Sequence, residues 1–184
     1  MGGIMSIVLQ GSTSGSVTLQ EPAVAGTTVL TLPAVSGTVL TTTSPKAGNV
    51  IQVVQGTYNT YSSTGSTSYV DTGLSASITP TSSSSKILVL ISQYLMIAGG
   101  SQSQIAYLNM VRGSTQIWES LNEAINSYDQ GGSGVEIGAA LCLNYLDSPA
   151  TTSSTTYKTQ TKKSGGGSEV RWRSATITLM EIAA

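Results

Sequence analysis

Glu169-Val-Arg-Trp-Arg-Ser-Ala-Thr-Ile-Thr-Leu-Met-Glu-Ile182 is the stretch that decides the fold. It reads as one long strand, because apolar and polar residues alternate along it. The alternation changes phase part-way. Val170 and Trp172 face opposite to Arg171 and Arg173, yet Ala175, Ile177 and Leu179 take the register that the arginines held. A period of two cannot switch faces without an extra residue, so a β-bulge is expected near Ser174. A strand that turns its apolar side over suits a sandwich, whose strands pass from a rim into the core.

Immediately upstream, Tyr157, Thr159 and Thr161 alternate with Lys158, Gln160 and Lys162, as in a half-exposed strand. Gly165-Gly166-Gly167 separates the two strands. If they pair as a hairpin, Lys158, Lys162, Lys163, Arg171 and Arg173 fall on a shared face or edge. Such a charged face would dock an acidic protein surface or a charged glycan. Protection of a sheet edge by Lys and Arg is the preferred reading.

Further strands are expected at 50–54 running towards Tyr58, and at 67–71 and 74–79 around Thr72-Gly73. Others are expected at 104–112, 115–118 and 135–146, the last stopped by Asp147-Ser148-Pro149. Residues 86–97 are nearly continuous in Ile, Leu and Val, which fits a strand buried on both faces. Residues 80–85 form a hydroxyl-rich turn. In 118–128, Trp118, Leu121, Ile125 and Tyr128 fall near helical spacing, with Glu119 and Glu123 on another side. A short surface helix and a long loop both remain open there. Strands at this spacing from residue 49 onwards point to an all-β sandwich or jelly roll.

The first quarter has a different texture. Ser14-Gly15, Ala25-Gly26, Ser36-Gly37 and Ala47-Gly48 recur at constant spacing, and Pro22-Ala23-Val24-Ala25-Gly26 returns as Pro33-Ala34-Val35-Ser36-Gly37. Gly15, Gly26, Gly37 and Gly48, with Pro22 and Pro33, are therefore expected to turn short Thr/Val/Leu strands. Residues 1–48 read as a repeat-containing β arm and 49–184 as the sandwich. A segment of the arm's size buries too little surface alone. Its apolar residues are expected to be covered by other subunits.

Composition limits what the chain does. Only 9% of its residues are charged and the net charge is −1. That supplies no field to capture nucleic acid or an anionic membrane. It suits a chain locked into an assembly better than a free monomer. The 29 Ser, 25 Thr and 20 Gly, with no Phe, describe a turn-rich β protein. No stretch is long and apolar enough to cross a bilayer as a helix, and no basic start precedes an apolar run as in a signal peptide.

There is no His, which removes Ser–His and Cys–His nucleophile systems and most zinc sites. The single Cys142 lies in the apolar run 139–143 and reads as a buried, inert thiol. Ser83-Ser84-Ser85-Lys86 matches Ser-x-x-Lys but stands in a turn before a strand. Glu119, Glu123 and Asp129 beside Trp118 have the residue types of a glycan-cleaving pair, or else form a solvated face. Tyr58, Tyr61, Tyr69 and Tyr94 line a sugar-binding or intersubunit surface, or pack across strands. No catalytic residue, metal or cofactor is assigned.

Gly15-Ser-Val-Thr-Leu-Gln-Glu-Pro-Ala-Val-Ala-Gly26, Thr31-Leu-Pro-Ala34 and Gly37-Thr-Val-Leu40 resemble a repeat of tailed-bacteriophage virion proteins. Ser68-Tyr-Val-Asp-Thr-Gly-Leu74, Ser85-Lys-Ile-Leu-Val-Leu90, Asn144-Tyr-Leu-Asp-Ser-Pro-Ala150, Thr156-Tyr-Lys158 and Ile177-Thr-Leu-Met-Glu-Ile182 resemble a β-rich domain of phage fibre and decoration proteins. The resemblance implies a homotrimeric virion component with a jelly-roll-like domain. The first expectation is a non-enzymatic capsid decoration (cement) protein on the particle exterior, made in the host cytoplasm. Its partners would be its own copies and the major capsid protein or other virion proteins. The alternative is a tail-fibre or receptor-binding protein that recognises a host surface glycan. Neither nucleic acid nor membrane is an expected partner.

Overall fold

The computed structural model describes residues 6–20, 34, 46–99, 104–120, 123–127, 136–164 and 169–184. The chain divides into two compact units, Met1–Val39 and Leu40–Ala184. The described residues contain strands and turns and no helix.

In the first unit, β1 (Ser6–Gln10) and β2 (Ser16–Gln20) form an antiparallel hairpin. Gly15 adopts φ +77, and Gly11 N–H closes the connection onto the Gly15 carbonyl at 2.9 Å. Of the repeat residues, Gly15 lies in this connection. Pro22, Gly26, Pro33 and Gly37 lie outside the described residues. Gly48 belongs to the second unit, where it turns at φ +86 and donates its N–H to the Ala183 carbonyl at 2.8 Å.

The second unit is a sandwich of two antiparallel sheets. Its strands are β3 (Val50–Tyr58), β4 (Ser62–Thr64), β5 (Val70–Ile78), β6 (Lys86–Ala98), β7 (Gln104–Arg112) and β8 (Thr115–Glu119). They continue with β9 (Ile125–Ser127), β10 (Glu136–Asp147), β11 (Thr155–Lys163) and β12 (Glu169–Ile182). The first sheet runs β10-β6-β12-β3, with β4 also on β12; the second runs β5-β11-β7-β8, with β9 also on β7. Most connections therefore cross between sheets, and only β7–β8 is a tight hairpin within one. This is the strand order of a jelly roll, in which two Greek keys close around one core.

The phase change in β12 is present. Ser174 adopts φ 49, and the register with β6 shifts between Arg173 and Ala175. Val170, Trp172, Ala175, Ile177 and Leu179 all face inward as a result. A second irregularity lies in β5. Lys158 and Gln160 of β11 pair with Ser75 and Asp71, so β5 fits Thr72-Gly73 into a bulge, with Gly73 at φ +87. The two strands expected around Thr72-Gly73 are therefore one continuous strand, because Gly tolerates the left-handed backbone that the bulge needs.

The two irregularities are joined through the core. Trp172 Nε1 donates to the Thr72 carbonyl at 2.6 Å, linking β12 of one sheet to β5 of the other. Beside this link runs a buried polar chain: Thr72 Oγ1 to Thr159 Oγ1 at 2.6 Å, and Thr159 Oγ1 to Gln93 Oε1 at 2.8 Å. Gln93 pairs with Ala175, at the level of the β12 bulge. On one side lies an apolar cluster with Leu74, Ile87, Met110, Tyr157 and Ile177; on the other lies one with Leu95, Leu108, Val170 and Trp172. The core is thus split where the strands change register.

Two buried carboxylates pin one end of this sandwich, Asp147 of β10 and Glu181 of β12 both pairing with Ile87 of β6. Asp147 receives Tyr157 Oη at 2.6 Å and Arg112 Nη1 at 2.8 Å. Burial, then the hydrogen bond to Asp147, pushes the Tyr157 hydroxyl far above the ordinary phenol range, so it remains a donor. Glu181 is fully buried and receives Gln52 Nε2 at 2.6 Å, with Thr81 N and Oγ1 each at 2.7 Å. Burial pushes the Glu181 carboxyl up, but these donors outweigh it and hold the group below its ordinary value.

Candidate assembly and recognition surfaces

The β1–β2 hairpin exposes most of its apolar residues. Ile7, Val8, Leu9, Val17 and Leu19 are each at least half exposed. Register places Ile7 opposite Leu19 and Leu9 opposite Val17, so four of them share one side. An isolated two-stranded hairpin is marginal in water, and an apolar side of this kind is stable only when something covers it.

In the second unit, the outer faces of the two sheets differ chemically. Across the first sheet, Leu146 pairs with Leu88, Leu88 with Met180 and Met180 with Val53. These residues form an apolar row over four strands, with Leu146 and Val53 more than half exposed. Next to it lies an open trough of about 310 Å³, lined by Leu90, Ser92, Cys142, Asn144, Thr176 and Thr178.

This face corrects two expectations. Strand β6 is not buried on both sides: Ile87, Val89, Ile91, Leu95 and Ile97 enter the core, while Leu88, Leu90, Tyr94 and Met96 lie half-buried outside. Its nearly continuous apolar run reflects a largely apolar outer surface rather than a second covering layer. Cys142 is exposed, not buried. Pairing with Ser92 puts it on the outward parity of β10, which a local apolar run does not reveal.

Across the second sheet the outward row is polar. Asp71 pairs with Gln160, Gln160 with Asn109 and Asn109 with Glu119. Gln160 Nε2 donates to Asp71 at 2.6 Å, and Asn109 Nδ2 donates to Gln116 Oε1 at 2.9 Å. Gln116 Nε2 donates in turn to Glu119 at 2.9 Å. Tyr69 Oη donates to Glu119 at 2.5 Å, and Lys158 Nζ donates to Asp71 at 2.8 Å. Lys162 Nζ lies 4.3 Å from the Tyr69 ring centre and 5.0 Å from that of Tyr107. Burial, followed by the bond to Glu119, pushes the Tyr69 hydroxyl well above its ordinary range. The same bond leads the causes that hold Glu119 below its own.

The five cations singled out in the sequence do not share a face. The hairpin that would unite them is absent, since β11 pairs with β5 and β7 while β12 pairs with β3, β4 and β6. Lys158 and Lys162 stand on the second sheet, Arg171 and Arg173 on the first. Lys163 has inward parity and is buried. Arg171 bonds Glu136 at 2.6 Å and also pairs with Glu169; Arg173 lies over the Tyr94 ring at 5.2 Å.

The carboxylate pair also dissolves. Glu119 ends β8 and is held below its ordinary value, opposite to what a proton-donating acid requires. Glu123 is exposed, and Asp129 lies outside the described residues. Around them, Ile125–Ser127 is a short strand on β7, so neither the helix nor the loop reading covers the stretch. Ser83, the serine of the Ser-x-x-Lys match, is exposed in the turn before β6. The four tyrosines scatter: Tyr58 packs against the core, Tyr61 is exposed, Tyr94 lies on the first sheet and Tyr69 beside the second.

The sequence reading missed Asn109, Gln116 and Gln160. Its available signal was Asn109 itself, a lone amide inside the apolar run of β7.

No family model matches the chain, and no curated protein does. Among solved structures, it is similar to infectious bursal disease virus Gt strain at 15% identity and TM-score 0.34, covering 98% of this chain and 47% of that one. The Gx strain gives 16% identity and TM-score 0.33, again with 98% and 47% covered. T=1 particles derived from infectious bursal virus give 16% and 0.29, with 96% and 44% covered. The chain therefore spans about half the length of these proteins. Likenesses of this size carry no argument about function.

Proposed function

We propose that this chain is a non-enzymatic structural component of a virus particle, and that the particle is a tailed bacteriophage. In this reading it is a capsid decoration protein that works as a homotrimer, bridging capsid subunits through apolar and backbone contacts. The observation that carries the proposal is the exposed apolar side of β1–β2, with Ile7, Leu9, Val17 and Leu19 uncovered. The row Leu146–Leu88–Met180–Val53 supplies a second surface suited to subunit contact. A low charge and a jelly-roll scaffold fit permanent assembly better than free diffusion.

The repeat segment 1–48 is the attachment element in this account. Deleting it should abolish binding to decoration-free phage heads while 49–184 stays folded. Normal binding by the truncated chain would contradict the proposal. A tail-fibre role stands second, favoured by the polar and aromatic outer face of the second sheet. Labelling of intact particles that is confined to the tail would select it.

A further inference from the structure

We propose that the outer face of the second sheet binds a neutral carbohydrate. Asp71, Gln160 and Glu119 would address its hydroxyls, and Tyr69 and Tyr107 its apolar ring face. This deepens the recognition reading and rests on it only for the glycan's source.

Three observations meet at this place. The first is pre-organisation. Outward polar side chains on a sheet usually move freely in water, whereas these four stand in one pairing row and are tied to each other through Gln116 and Gln160. A carboxylate or planar amide held in place engages adjacent hydroxyls of a sugar without losing further side-chain freedom.

The second is charge. Lys158 neutralises Asp71, and Lys162 stands 3.8 Å from Glu119. The row offers donors and acceptors with no net formal charge, which selects a polyol over an anion or a cation. Asn109, at the centre and 2% exposed, lies beneath the surface and anchors the row by donating to Gln116 Oε1 at 2.9 Å.

The third is the pair of half-exposed rings at the row's side. Tyr69 and Tyr107 flank Lys162 at 4.3 and 5.0 Å, which fixes their position. Aromatic surface next to fixed polar groups presents an apolar body and a polar tip together, matching the two chemistries of a pyranose. The surface is shallow, so one copy binds weakly. Several copies on one particle multiply the effect.

Saturation-transfer NMR on the full chain tests this directly. The probes are the methyl glycosides of glucose, galactose, mannose and N-acetylglucosamine, with sialyllactose as the charged control. At least one neutral glycoside should give signals at millimolar concentration. Tyr107→Ala and Gln160→Ala should each weaken its binding about tenfold. Tyr107→Phe should retain it, and Leu146→Ser on the opposite sheet should leave it unchanged. Gln116→Ala, at an exposed position, serves if either of these variants fails to fold. Absence of signal from all four neutral glycosides, or signals equal in wild type and variants, would overturn the proposal. So would binding of sialyllactose alone. Because only purified protein and sugars are used, the result is independent of where the chain sits on a particle.

Discussion

At the scale of single residues, the fold depends on a few positions where backbone and side chain are both constrained. Gly73 has φ +87, and a Cβ there would stand 2.4 Å from the Tyr58 ring. Gly73→Ala is therefore strained twice and should cost about 2–3 kcal/mol, read as a lower urea midpoint. Ser174 has φ 49 without being Gly. Ser174→Gly should be neutral or stabilising by up to about 1 kcal/mol, whereas Ser174→Val should destabilise. Glu181 is the buried carboxylate with a depressed folded value, starting from an ordinary 4.5. Its contribution is complete above that value and disappears as pH falls through the folded one. Glu181→Gln puts an amide N–H against Gln52 Nε2. It should cost about 2 kcal/mol at neutral pH and flatten the loss of stability below pH 4.5. Thermal melting of both proteins across pH 3–7 checks the slope.

At the scale of elements, β12 is the organising strand. It touches β6, β3 and β4 in its own sheet and reaches β5 through Trp172. Its bulge puts Val170 and Trp172 in one apolar cluster and Ala175, Ile177 and Leu179 in the other. Deleting Ser174 should therefore turn one half of the strand inside out and abolish cooperative unfolding, far exceeding any substitution at that site. This element was fully legible in the sequence, including its ends and its bulge, because apolar periodicity reports directly on which side is buried. What pairs with it was not legible. Gly165-Gly166-Gly167 suggests a hairpin, but a sandwich connection between sheets uses similar residues. The cation cluster failed with that pairing. Cys142 and the outer residues of β6 failed for a related reason: an apolar run does not say which of its two parities is covered.

At the scale of the whole molecule, the exposed apolar residues on β1–β2 and on the first sheet are the surfaces that the proposed assembly would cover. Val53→Lys combined with Leu146→Lys places charge at both ends of the apolar row, at residues already more than half exposed. The double variant should fold with little change in melting temperature while losing self-association. The polar row of the second sheet escaped the sequence reading because its members come from four strands, and only the sheet order brings them together. If the chain works as the trimeric building block proposed above, sedimentation equilibrium of the full chain at micromolar concentration should give a species of three times the chain mass; a monomer throughout that range would contradict the proposal.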